Sequence, residues 1–134
     1  MSMYHIVAGI DDDEAHATRC AEAAIDLPSE SPEKQVTLIH SFDDNPSGAS
    51  ASQVQSVRTA AELLEEHDID TNIQESSGDP ADAIIDTAVE DEADLILIGG
   101  RKRSPAGKAL FGSVTQSVIL GSTRPVMVTG VDEE

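Results

Sequence analysis

The apolar positions along this chain change period several times, and each change marks an element. Tyr4 to Ile10 and Val36 to Ile39 are short β-rich runs, and Leu95 to Ile98 is apolar without interruption, as in a strand covered on both faces. Between them the spacing is helical: Ala17, Ala21, Ala24 and Leu27 share one face, Val54, Val57, Ala61 and Leu64 a second, and Ile84, Ile85, Ala88 and Val89 a third. A weaker strand signal lies near Thr71 to Glu75. A last helix is expected to bury Val114, Val118 and Ile119 and to stop near Gly121, and Val126 to Thr129 reads as the closing strand. The acids Asp11 to Glu14 suit the positive end of the first helix dipole, Pro28 to Pro32 ends that helix, and Asp79-Pro80 pairs an N-cap residue with a proline at the first helical position.

Strands that alternate with helices require right-handed crossovers, hence a parallel sheet with helices on both faces. The 134 residues suffice for one α/β domain, predicted to span 1–134. Periodicity leaves the strand order open.

Composition narrows the core and the setting. Aromatic residues are only 2% of the chain, so the core is built from Ala, Val, Ile and Leu. Cys20 is the single cysteine, which excludes an internal disulfide and suits a reducing compartment. It falls at helical spacing from Ala17 and Ala24, as a small buried side chain would. The longest apolar runs are strand-sized, so neither a secretory leader nor a membrane span is expected, and a cytoplasmic location is.

Charge changes the picture more. The net charge is −18, with three lysines in the chain, and the acids are scattered rather than gathered in a tail. Such a surface is tolerated where salt screens repulsion, which points to a salt-adapted, haloarchaeal-like protein; an acidic surface for a basic partner is the other reading. Against this background the segment between Leu95 and Val131 holds no acid and five bases: Arg101, Lys102, Arg103, Lys108 and Arg124. Four of them lie in a glycine-rich loop that runs from Gly99 to a helix start at Gly112-Ser113. Backbone N–H groups, a helix N-terminus and flexible cations together make an anion site, while solvated bases paired with nearby carboxylates would give the same composition. No basic face extends beyond this loop, so nucleic acid is not expected as a direct partner.

Known catalytic patterns do not fit. Six residues separate Gly100 from Gly107-Lys108 where a P-loop has four, and Ala109 replaces its Ser or Thr. No Ser-His-Asp or Cys-His set has a supporting motif, and His40 at a strand end reads as structural.

The spacing of Gly99, Gly112 and Ser113 resembles the Gly-x2-Gly-x9-Gly-Ser/Thr loop of the universal stress protein family, with Lys102 standing at the second glycine. Ile6-Val7-Ala8-Gly9-Ile10-Asp11, Val36 to Phe42, Gly78-Asp79-Pro80 and Arg124 to Val128 resemble further family segments in order. The resemblance implies a doubly wound five-stranded parallel sheet of order 3-2-1-4-5. It also implies an adenine-nucleotide site for ATP or AMP, with or without Mg²⁺, in a regulatory protein of the stress response. Gly9, Asp11 and Ser41 would flank the adenosine, and Gly99, Arg101, Lys102, Gly112, Ser113, Val114 and Thr115 the phosphates and ribose. Lys102 would replace close backbone approach by a charge-assisted contact. Acids beside Asp11 could help to hold a divalent cation. A homodimer is implied through the edge strand Val126 to Thr129. Two alternatives stay open: a stress protein that acts through protein contacts without nucleotide, and a weak ATPase.

The scattered acids make a direct prediction. The melting temperature should rise from dilute buffer into molar KCl as self-repulsion is screened. A flat or falling curve would transfer the acidity to a partner surface.

Overall fold

The computed structural model describes residues 3–27, 33–42, 54–103, 109–110 and 112–130, with the backbone alone for 100–103 and 109–110. The elements run β1 (Tyr4–Gly9), α1 (Glu14–Asp26), β2 (Lys34–Ser41), α2 (Gln55–Glu66), β3 (Asp70–Ser76), α3 (Pro80–Glu90), β4 (Leu95–Arg103), β5 (Ala109–Leu110), α4 (Ser113–Gly121) and β6 (Val126–Gly130). Five strands pair in parallel in the order β3-β2-β1-β4-β6. This is the expected 3-2-1-4-5 order once β6 is counted as the fifth parallel strand. The two-residue β5 is an addition, antiparallel to the end of β4 through Lys102↔Leu110 and Arg103↔Ala109.

The expected loop after Ile98 is therefore still strand at its start. Arg101 pairs with Gly130 of β6, and the register shifts between Ile98 and Arg101. Two backbone residues, Gly99 and Gly100, are accommodated there. Local pattern pointed to a loop because Gly130 is distant in sequence and Ala109–Leu110 is too short a run to read as a strand.

Alternation along the strands sorts the core into two layers. Ile6, Ala8, Val36, Leu38, Leu95 and Leu97 face α1 and α2, against Ala17, Cys20, Ala21, Ala24, Val57, Ala60, Ala61 and Leu64. Val7, Ile39, Ile96 and Ile98 face α3 and α4, against Ala81, Ile84, Ala88 and Val118. The alanine stripes let the helices lie close to the sheet, as the lack of aromatics requires. Two expected core positions are exposed instead, Val89 at 49% and Ile119 at 41%. In α3 the buried stripe runs through Ala81, Ile84 and Ala88, which turns Val89 outward. The short α4 buries only Thr115 and Val118.

The start signals are used as expected. Asp13 accepts from the N–H groups of Ala15 and His16 at the start of α1, and Asp79 accepts from those of Ala81 and Asp82 ahead of Pro80 in α3. Each such cap is worth about 1 kcal/mol. At the other end of α1, Lys34 Nζ donates to the carbonyls of Ala24 and Ile25, both at 2.9 Å, placing a cation on the negative end of the helix.

Where β1 ends, the packing leaves no room for a side chain unless Ile84 shifts. A Cβ placed on Gly9 would lie 2.5 Å from Cδ1 of Ile84. Ile84 is itself only 4% exposed, so it has little room to yield. Gly9→Ala should cost about 1–3 kcal/mol in denaturant unfolding, the range for overpacking a core. Adding Ile84→Val removes the clashing methyl, so the double variant should be more stable than the sum of the two single losses. Strict additivity would show that the contact is not the cause.

Candidate functional site

The strand order reverses between β1 and β4, since β1 is followed outward by β2 and β3 on one side and by β4 and β6 on the other. The carboxyl ends of these two strands diverge there, and a crevice opens where ligands lie in doubly wound sheets. The structure has a cavity of about 600 Å³ at this place. Gly9, Ile10, Asp11 and Asp12 form its β1 side, His16 and Ala17 come from α1, and Ile39, His40 and Ser41 end β2. Pro80 and Ile84 close it from α3, and Ile98, Gly99 and Gly112 to Thr115 form the far wall.

Of the residues expected to form a site, Gly9, Asp11, Ser41, Gly99, Gly112, Ser113, Val114 and Thr115 all line this one cavity. Arg101 and Lys102 belong to the last residues of β4. Their side chains lie outside the described residues, as do those of Arg103 and Lys108. The long loop from Asp43 to Ser52 that could cover a ligand is also outside them.

The far wall offers donors. No side chain caps α4 among the described residues, and its N-cap is Gly112. The first N–H groups of a helix have no partner within it, so the turn at Ser113, Val114 and Thr115 brings donors and a positive dipole end to the cavity. Thr115 itself is buried, and its hydroxyl donates to the Gly99 carbonyl at 3.2 Å, which ties α4 to the bend in β4.

The glycines have different reasons. At Gly99 a Cβ would lie 3.2 Å from Thr129 Oγ1, a tight approach, and in ordinary contact with Cys20 Sγ and His16 Cβ, both at 3.5 Å, so packing against Thr129 favours glycine there. At Gly112 nothing among the described residues lies within 4 Å of such a Cβ. Its φ of −68° and ψ of 166° suit any residue. Neither its backbone angles nor its packing among the described residues accounts for glycine at 112.

The opposite wall is a turn held from several sides. Ile10 N–H donates to the Ile39 carbonyl at 2.9 Å, and His40 Nδ1 donates back to the Ile10 carbonyl at 2.8 Å. The Ser56 hydroxyl donates to the Asp11 carbonyl at 2.6 Å. His40 Nε2 lies 3.6 Å from Asp12 Oδ1. His40 is thus buried and structural, as its lone position suggested, although it also borders the cavity.

His16 is the cavity residue that sequence reasoning passed over. Its Nδ1 is 3.0 Å from Asp11 Oδ2, and its side chain is 15% exposed. The available signal was positional. His16 is the third helical residue after the Asp13 cap, and helical side chains tilt towards the N-terminus, back over the end of β1.

Cys20 lies just behind Gly99. Burial, opposed by the Thr129 hydroxyl at 3.9 Å and reinforced by the Asp11 charge, pushes its thiol up from the ordinary 9.0 to about 11. This is the opposite of an activated nucleophile. Among the described residues no three His, Cys, Asp or Glu side chains converge to hold a metal ion.

Fold and cavity together define a doubly wound α/β protein with a ligand crevice at its switch point. Comparison with known sequences is specific: the model of the universal stress protein family matches residues 3–130, and the chain belongs to that family. It is similar to the stress response protein NhaX of Bacillus subtilis, 35% identical over 72 residues, a match covering 54% of this chain and 43% of the relative. The matched stretch thus spans less than half of that longer protein. Among solved structures, a universal stress protein from Archaeoglobus fulgidus superposes with a TM-score of 0.71 at 28% identity, covering 96% of this chain and 99% of that one. A universal stress protein from Archaeoglobus fulgidus in complex with dAMP has the same fold, with a TM-score of 0.71 at 23% identity and coverage of 96% and 99%. No helix among the described residues is long and apolar enough to cross a membrane.

The thiol carries a prediction. A native pKa raised above the unfolded one means that the thiol's contribution to stability is complete below pH 9.0 and is lost as pH rises towards about 11. Cys20→Ser should therefore flatten part of the fall in stability across that window, measured by denaturant unfolding at fixed ionic strength. At pH 8 the native thiol should resist a disulfide reagent that labels it in denaturant; rapid native labelling would contradict the buried position.

Proposed function

We propose that this protein is a regulator of the stress response that holds an adenine nucleotide, ATP or AMP, in the cavity between β1 and β4. The observation that carries the reading is Gly112, a glycine for which neither its backbone angles nor a contact among the described residues gives a reason, on a wall of helix N–H donors at the cavity. A phosphate group occupying that space is the physical reason for it. The apolar side formed by Ile10, Ile39 and Ile84 suits a base, and the dAMP complex of the similar archaeal protein supports an adenine nucleotide. Lys102, on the strand that leads into the loop, supplies a cation for phosphate. Any Mg²⁺ would arrive on the phosphates of ATP, keeping most of its water.

The same reading makes the protein a cytoplasmic, salt-adapted homodimer. β6 is an edge strand whose five residues are all half-buried, with Val126 to Thr129 able to pair with a two-fold mate.

Equilibrium binding of labelled ATP in molar KCl, with and without Mg²⁺, tests the proposal, with light scattering in the same buffer for the dimer. Gly112→Leu should abolish binding while leaving the melting temperature within a few degrees of the wild type. Lys102→Ala should weaken binding by about 1–3 kcal/mol, the scale of a charge-assisted hydrogen bond. Lys102→Gly separates the two devices, because unchanged or tighter binding means that backbone approach outweighs the cation. A folded wild type that binds no nucleotide would leave the protein acting through contacts alone, and a monomer would remove the β6 interface.

A further inference from the structure

We infer that β3, the edge of the sheet opposite β6, is a docking strand for a basic, extended segment of another protein, which joins the sheet as a further strand. The inference is independent of the nucleotide reading. In the order β3-β2-β1-β4-β6 the edge is separated from the switch point by β2, so edge and cavity can be occupied together.

β3 is a long and regular edge. All seven of its residues, Asp70 to Ser76, pair with β2 in one uninterrupted register. The Ser76 carbonyl accepts from the Phe42 N–H at 2.8 Å, so at Ser76 the main chain points to β2. Main-chain directions alternate along a strand, which turns Gln74 and Asn72 to β2 as well and Ile73 and Thr71 outward. Among the described residues the N–H and carbonyl groups of Thr71 and Ile73 meet no main-chain partner. They are the template on which a strand can be added.

The side chains give this edge a character. Ile73 is in register with Leu38 of the α1–α2 core layer yet is 38% exposed, because no strand lies beyond it. An aliphatic residue on an added strand would cover it. Asp70 and Glu75, near the two ends of β3, are exposed.

Charge selects the occupant. From Val54 to Gly78 the chain carries Glu62, Glu65, Glu66, Asp68, Asp70 and Glu75 against one arginine, Arg58. The neighbouring Lys34 is turned away, since its Nζ is engaged by the Ala24 and Ile25 carbonyls of α1. A second copy paired here would set these acids against their like, which is how natural edges are kept from pairing with themselves. A segment that carries Lys or Arg among aliphatic residues meets the opposite condition, with attraction at contact added to the main-chain bonds.

The test uses the folded full chain in KCl and a labelled nine-residue peptide in which lysine alternates with valine. The peptide should bind, and hydrogen exchange at the Thr71 and Ile73 amides should slow when it does. Ile73→Pro removes an outward donor at a position where an edge strand tolerates proline, and should weaken binding at least about tenfold. The same peptide methylated at every backbone nitrogen keeps its charge but cannot donate, and should lose binding likewise. Equal binding by the methylated peptide, or by wild type and Ile73→Pro alike, means general attraction to an acidic surface and overturns the inference. Absent binding or unchanged exchange at Thr71 and Ile73 also overturns it; this readout needs no variant and decides even where the proline chain fails to fold. Assemblies larger than a dimer that Ile73→Pro disperses would assign the edge to a second copy, a further way for the inference to fail.

Discussion

Two strand ends without side chains govern the upper half of this molecule. At Gly9 the missing Cβ is the space taken by Ile84, and at Gly99 a Cβ would be tight against Thr129 and in contact with His16 and Cys20. These contacts draw α3 onto one face of the sheet and α1 onto the other, at the two strands between which the order reverses. The cavity is what remains where helix packing stops and the strand ends diverge. Its shape follows from the glycines even before any ligand is considered. A small, non-aromatic core suits this arrangement, because alanine-rich helix faces allow the backbones to approach closely enough for a missing Cβ to matter.

The polar groups around the cavity are arranged so that the protein satisfies itself first. Among the described residues no buried side-chain nitrogen or oxygen lacks a partner. His40 and Ser56 take the carbonyls of Ile10 and Asp11, and Thr115 takes that of Gly99. What is left towards the cavity is asymmetric: acceptors on the β1 side, from Asp11 and Asp12, and donors on the α4 side. Such polarity suits a ligand with donors at one end and an anion at the other.

Much of this was legible along the chain, for identifiable reasons. Burial on one or both faces writes period two, continuous runs or period 3.6 directly into the apolar positions, so the main strands and helices could be read, as could the Asp79 cap and the acidic start of α1. The strand order was not in the periodicity and came with the family resemblance. The continuation of β4 to Arg103 was missed because Gly130 of β6 is far away in sequence and the two-residue β5 is too short to show a period. Val89 and Ile119 were misplaced since an apolar residue at the margin of a helical stripe is in or out by a fraction of a turn. His16 was missed because its importance lies in the distance to Asp11, set by the geometry of the turn into α1 rather than by residue type.

The charge distribution connects the site to the rest of the chain. Acids dominate everywhere except from Leu95 to Val131, and that exception includes β4 and the start of α4, which make the donor side of the cavity. A uniformly acidic surface would repel an anion on approach, and high salt would weaken that repulsion beyond a few ångströms without much affecting contacts inside a crevice. An anion site in such a protein therefore depends on short-range donors and nearby bases more than on a long-range field. The absence of acids from the segment that forms the donor wall, beside their abundance in the rest of the chain, is what keeps that wall free of like-charge repulsion towards an anion.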